Sequence, residues 1–152
     1  MRRHDGFTLI ELLIAVAIIG IIAAIAVSTL INAIQRGRQK QTMADLRIVG
    51  TAVMAYATDF ATFPKVGLAA GTTNDLSTYI TPTFIQALPS NDGWGRAILV
   101  LNESSGTSFT VYSKGRNGSG ALAAGGTTTT FDQAIVFSDG RFVQWPEGMQ
   151  VN

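Results

Sequence analysis

Gly6-Phe7-Thr8-Leu9-Ile10-Glu11-Leu12 leads into a segment in which no side chain from Leu12 to Val27 is polar, and the apolar character continues past Ser28 and Thr29 to Ile31. As a helix, that run spans a hydrocarbon core of about 30 Å. Glu11 lies close to its outer edge, where a charge is expensive unless something pairs with it. A helix that served only as an anchor would not need that carboxylate. A short basic leader, Met1-Arg2-Arg3-His4-Asp5-Gly6, precedes the run.

Three readings compete for this segment. A secretory signal peptide has an apolar stretch of about 7–15 residues before its cleavage site; here the stretch is longer, and Arg36 follows it. A plain signal anchor accounts for the length but leaves Glu11 unexplained. The third reading accounts for both: Gly6-Phe7-Thr8-Leu9-Ile10-Glu11-Leu12 resembles the class III signal of type IV pilins and type II secretion pseudopilins. The combination of Gly, Phe and a fifth-residue Glu directly before an apolar helix makes the match specific.

The resemblance implies that a prepilin peptidase cuts between Gly6 and Phe7 on the cytoplasmic side and N-methylates Phe7. It also implies that Glu11 pairs with the N-terminal amine of a neighbouring subunit during assembly. The physics agrees, because opposite charges attract strongly in a low-dielectric bundle while either alone is costly to bury. The bland alternative is a carboxylate merely tolerated at the lipid interface. Arg2 and Arg3 favour a cytoplasmic N-terminus, whereas Arg36, Arg38 and Lys40 make the far side slightly more basic. The expected orientation, N-terminus in and globular part out, therefore rests on the resemblance. Many pilin-like helices carry proline where this chain has Ser28, so no proline kink is expected there.

Composition narrows the rest. The 152 residues suffice for one anchor and one modest domain: a leader over 1–6, a transmembrane and assembly helix over 7–34, and a periplasmic domain over 35–152. Net charge is +1, and removing Arg2, Arg3 and Asp5 leaves nine basic and nine acidic side chains. Near-neutral subunits pack side by side without long-range repulsion, and no basic stripe suggests nucleic acid. There is no cysteine, and the lone histidine, His4, lies in the leader. The commonest general base, the thiol nucleophile and imidazole metal sites are thus missing from a processed chain. With no recognisable catalytic triad or phosphate loop, an enzyme is not expected.

No proline occurs between Phe7 and Pro64, and apolar residues recur at Met43, Leu46, Val49, Val53, Ala57 and Phe60. These spacings of three and four predict a helix from Phe7 to Phe60, roughly 80 Å long at 1.5 Å per residue. Asp45, Arg47, Thr51 and Asp59 fall largely on other faces, while Gly20, Gly37 and Gly50 allow bending or local melting. Lys65–Asn74 reads as a loop and Leu76–Leu88 as short helical turns. Strands are predicted at Arg96–Leu101, Phe109–Ser113, Ala134–Ser138 and Arg141–Trp145, with Asp139-Gly140 as a two-residue hairpin. The fold class is α+β: a long N-terminal helix packed on a small antiparallel sheet, as in pilins.

The C-terminal half extends the resemblance to the major pseudopilin of type II secretion. It is carried by Trp94-Gly95 after Asn91-Asp92-Gly93, by Tyr112-Ser113-Lys114-Gly115-Arg116-Asn117-Gly118, and by Gly125-Gly126 before Asp132. That family typically shows an Asp-Pro-Trp-Gly turn and a Tyr-Ser-x-Gly-x-Asp-Gly loop, with a later Asp closing a calcium site. Here Gly93 replaces the proline and Asn117 the loop aspartate. The resemblance implies calcium held by Asp132 and Asn117, with Ser113 a weaker addition and backbone carbonyls completing the shell. Calcium takes six to eight oxygens, yet one formal negative charge remains, and Lys114 and Arg116 lie nearby. The alternative is a Gly/Thr-rich loop held by backbone contacts alone. Tyr56, Phe60, Phe63, Trp94, Phe109, Tyr112, Phe131, Phe137, Phe142 and Trp145 are expected in the core rather than on a binding platform.

By resemblance, then, the chain is a structural subunit of a helical homo-oligomeric filament. Its implied partners are the prepilin peptidase, an inner-membrane assembly platform and minor pseudopilins. The subunit starts as a single-pass inner-membrane protein and ends in a periplasmic pseudopilus, or in an extracellular fibre if it is a type IV pilin. A reading of another class is a singly anchored periplasmic enzyme or binding domain.

Overall fold

The computed structural model describes residues 6–66, 71–102, 105–123 and 125–151. Met1 to Asp5 of the leader, and part of the Lys65–Asn74 loop, lie outside the described residues. The chain divides into two compact units, one ending at Ile34 and the other starting at Gln35.

The first unit is helix. Helix α1 runs over Leu9–Phe60, 52 residues, and is long and apolar enough to cross a membrane. Its large apolar side chains up to Ile34 are all exposed, from Leu9 at 81% to Ile34 at 47%. An apolar surface of this extent suits lipid or the helices of partners, not water.

In the second unit α1 becomes one-sided, as the stripe predicts. Leu46, Val49, Ala52 and Val53 are buried, and Met43 packs against them. Asp45 departs from its expected outer face: it is buried, and Gln41 Nε2, one turn earlier, donates to both carboxylate oxygens at 3.0 and 3.1 Å. That amide replaces the water an exposed aspartate would bind. Phe60, expected in the core, is 58% exposed and stacks on Tyr56 with ring centroids 4.4 Å apart. Trp145 is likewise 37% exposed.

After α1 come β1 (Gly71–Thr72), a 3₁₀ turn (Thr73–Leu76) and α2 (Ser77–Ile80), followed by β2 (Leu99–Asn102), β3 (Phe109–Ser113), β4 (Gly126–Thr130), β5 (Ile135–Ser138) and β6 (Arg141–Val151). The sheet order is β1-β2-β3-β5-β6-β4. Four pairs are antiparallel, but β4 runs parallel to β6, with Gly126 opposite Gln144 and Thr127 opposite Trp145. The sheet is thus mostly antiparallel, as the sequence predicts, with β4–β6 as its parallel pair. The run Thr127–Thr130 is β-branched and takes the extended form, and β6 continues six residues past Trp145 to offer it an edge. The β5–β6 hairpin turns at Asp139 (φ 47°) and Gly140 (φ 87°), as Asp-Gly predicts.

The core lies between α1 and the sheet: Leu46, Val49 and Val53 meet Phe109, Val111, Ile135 and Phe137. Gly50, read in sequence as a possible bend, instead seats the Phe137 ring, and a methyl added there would lie 2.2 Å from the ring edge. Glycine to alanine normally stabilises a helix by about 1 kcal/mol. At this position overpacking reverses the sign, and Gly50→Ala is expected to destabilise by about 1–3 kcal/mol. Thermal and urea unfolding of the full chain in detergent checks this; a gain in stability would show that α1 and Phe137 are not in contact.

Candidate assembly site and candidate cation loop

At the N-terminus of α1, Glu11 has a local structural role that sequence reasoning overlooked. Thr8 donates to Glu11 Oε2 from its backbone N–H at 2.9 Å and from its hydroxyl at 2.8 Å, and Glu11 N–H donates back to Thr8 Oγ1 at 3.3 Å. Leu12 N–H reaches Thr8 O at 3.3 Å, which makes Thr8 the residue that caps the helix. The pair is a reciprocal capping box, legible as Thr-x-x-Glu before an apolar run. Both its members follow the Gly6–Phe7 bond, so the cap does not depend on the leader. Oε1 has no partner among the described residues and is open to a cation. Phe7 is 81% exposed, and Gly6 is exposed too.

The turn from Asn91 to Gly95 is built around Asp92, which sequence reasoning took only as a turn residue. Asp92 is 6% exposed. Its Oδ1 accepts from Trp94 N–H and Arg96 N–H, each at 2.9 Å, and its Oδ2 accepts from Ser113 Oγ at 2.5 Å. Trp94 Nε1 donates to Gln35 Oε1 on α1 at 2.7 Å.

The oxygens of the three side chains that the resemblance marks as calcium ligands each accept from a different donor. Ser113, fully buried at the end of β3, gives its hydroxyl to Asp92 and accepts from Gly115 N–H at 3.1 Å. Asn117 is exposed, and its Oδ1 caps Ser119 N–H at 2.9 Å. Both oxygens of Asp132 face the Arg116 guanidinium, with Nε to Oδ1 and Nη2 to Oδ2 each 2.9 Å. Arg116 beside it holds the Asp132 carboxyl below its usual range, and the Asn117 backbone N–H adds to that effect. The same pair raises Arg116 further. Among the described residues no group of three or more His, Cys, Asp or Glu side chains is placed to hold a metal. A divalent cation at Asp132 would meet a guanidinium already in place, so this donor set does not fit calcium.

Two sequence families cover most of the chain. The prokaryotic N-terminal methylation motif matches residues 1–27, and type II secretion system (T2SS) protein G matches residues 29–132. The chain belongs to the protein G family. A type II secretion system core protein G of Vibrio cholerae serotype O1 is 28% identical over 124 residues, spanning 78% of this chain and 84% of that protein. Fimbrial proteins are also similar: one from Neisseria meningitidis is 27% identical over 153 residues, spanning 98% of this chain and 89% of its own. Fimbrial protein Q of Moraxella bovis is 41% identical over 75 residues, spanning 49% and 47% of the two chains.

Within the protein G family pattern, Gly93 stands where proline is typical, and the geometry gives a reason. Gly93 N–H donates to Thr42 Oγ1 at 3.0 Å, and Thr42 Oγ1 donates to Arg38 O at 2.9 Å. A side chain at Gly93 would meet Arg38 O at 2.2 Å, a backbone atom that cannot step aside. Proline would remove the donor and fill the gap at once. Gly93→Pro is expected to destabilise the chain by about 2–4 kcal/mol, measured by denaturant unfolding. An unchanged midpoint would mean that the turn does not dock on α1 in this way.

Proposed function

We propose that this chain is the major structural subunit of a type II secretion pseudopilus, a helical filament that drives export of folded proteins. The observation that carries the reading is the protein G match over residues 29–132, which lies beyond the N-terminal motif that pilins and pseudopilins share. The exposed apolar half of α1 serves first as a single inner-membrane span and then as the interior of a helical bundle. The prepilin peptidase cuts between Gly6 and Phe7 and methylates Phe7. The new ammonium of one subunit then pairs with Glu11 of its neighbour at the open Oε1, and the charge pair sets axial register. An assembly platform and minor pseudopilins complete the machine, and the subunit's role is structural rather than enzymatic. The fimbrial relative spanning 98% of this chain supports a second reading, a surface type IV pilus.

Deleting the gene and assaying exported enzymes and surface fibres in parallel separates the two readings. Enzymes trapped in the periplasm beside normal fibres are expected; lost fibres with normal export would make the chain a pilin. The role of Glu11 is tested by a pair of variants that separates charge from cap. Glu11→Gln keeps a residue that completes a capping box but removes the charge, and is expected to cut filament assembly at least about tenfold. Thr8→Ala loses the cap but keeps the charge, and should reduce assembly far less. Equal effects of both, with membrane insertion intact, would reduce Glu11 to a helix cap.

A further inference from the structure

We propose that the Arg116 guanidinium takes the place of a divalent cation in the loop from Ser113 to Asp132, so that this loop closes without calcium. A calcium site in such a loop would gather a carboxylate and backbone carbonyls around one positive centre. Here the carboxylate and one loop carbonyl are already taken by guanidinium groups. The Asp132 carboxylate receives the bidentate fork of Arg116, at 2.9 Å on each oxygen. The Arg116 carbonyl accepts from Arg96 Nε at 2.9 Å. Bidentate geometry matches a planar guanidinium to a carboxylate better than an ammonium would.

The backbone follows the same plan. Arg116 N–H donates to Phe131 O at 2.9 Å, which draws the start of the loop onto its end, and Gly120 N–H donates to Lys114 O at 2.9 Å. Phe131 next to Asp132 is fully buried, so the backbone that carries Asp132 is anchored from the core side. Arg96 in turn is held by its backbone N–H on the buried Asp92. Charge points the same way: between Ser113 and Asp132 the ionised side chains are Lys114, Arg116 and Asp132, a surplus of one positive charge. A divalent cation entering this segment would meet net repulsion. The loop is held in this way whether the proposed filament is a pseudopilus or a pilus.

The test uses the full chain in detergent micelles, with thermal unfolding and limited trypsin digestion in excess EDTA and in millimolar calcium, magnesium serving as the control. The wild type is expected to melt at the same temperature, and to resist cutting at Lys114 equally, in all three conditions. A calcium-specific rise in Tm, or calcium-specific protection, would overturn the proposal. Arg116→Ala in EDTA is expected to melt several degrees lower and to be cut faster at Lys114; unchanged melting would overturn the stapling role. Should that variant fail to fold, Arg116→Lys keeps the charge but not the fork, and is expected to melt between wild type and the unfolded limit with no calcium response. A calcium response in Arg116→Lys matched by one in the wild type would again overturn it.

Discussion

The buried carboxylate of Asp92 ties three parts of the second unit to one another. Its Oδ1 fixes the backbone of Trp94 and Arg96, and its Oδ2 takes the hydroxyl of Ser113 at the end of β3. From that point the bonds run outward in two directions. One passes through Gly93 to Thr42 and through Trp94 to Gln35, and so reaches α1. The other passes through the Arg96 guanidinium to the Arg116 carbonyl, and from Arg116 to Asp132. A carboxylate this deep is costly without donors, and three short bonds make it tolerable. Its contribution is therefore placement: helix, strand and loop are set relative to a single pair of oxygens.

Much of the architecture was legible because its signals are periodic. The stripe through Leu46, Val49 and Val53 faces the core, β3 begins and ends where predicted, and Asp139-Gly140 makes the hairpin. The parallel β4–β6 pair was not legible, for a physical reason. Its threonines alternate with nothing apolar, and the polar atoms that fix its position come from far along the chain. Gln150 Nε2 donates to Thr128 O at 2.6 Å, and Gln39 Nε2 on α1 donates to Gln150 Oε1 at 3.4 Å. Gln39, Thr128 and Gln150 are all buried. A buried polar network satisfied across more than a hundred residues leaves no local pattern to read.

The candidate sites divide in the same way. The N-terminal motif is continuous, so resemblance alone located Gly6, Phe7 and Glu11, while the Thr8–Glu11 box was readable and passed over. Gly93 was noticed only as a departure from a pattern and Arg116 only as a nearby positive charge, and their meaning depends on which atoms lie opposite. Arg38 O behind Gly93 and Asp132 in front of Arg116 are 55 and 16 positions away in sequence. Each is matched by the chain itself: an N–H that proline would lack is used, and a charge that would repel a metal is paired.

Glu11 carries two demands that at first conflict. A helix end in an apolar setting leaves backbone donors unsatisfied, and the capping box satisfies part of that need with Oε2. Subunit pairing, in the assembly proposed, needs a carboxylate that still attracts a cation. Neutral donors from Thr8 orient the carboxylate without neutralising it, so the charge that draws an ammonium persists. In the proposed assembly the two roles also use different oxygens. Pairing at Oε1 then adds a bond without breaking the cap at Oε2, and loss of the neighbour returns a helix end that is still capped. In the proposed assembly, a subunit built this way joins its neighbour with its own N-terminal cap unchanged.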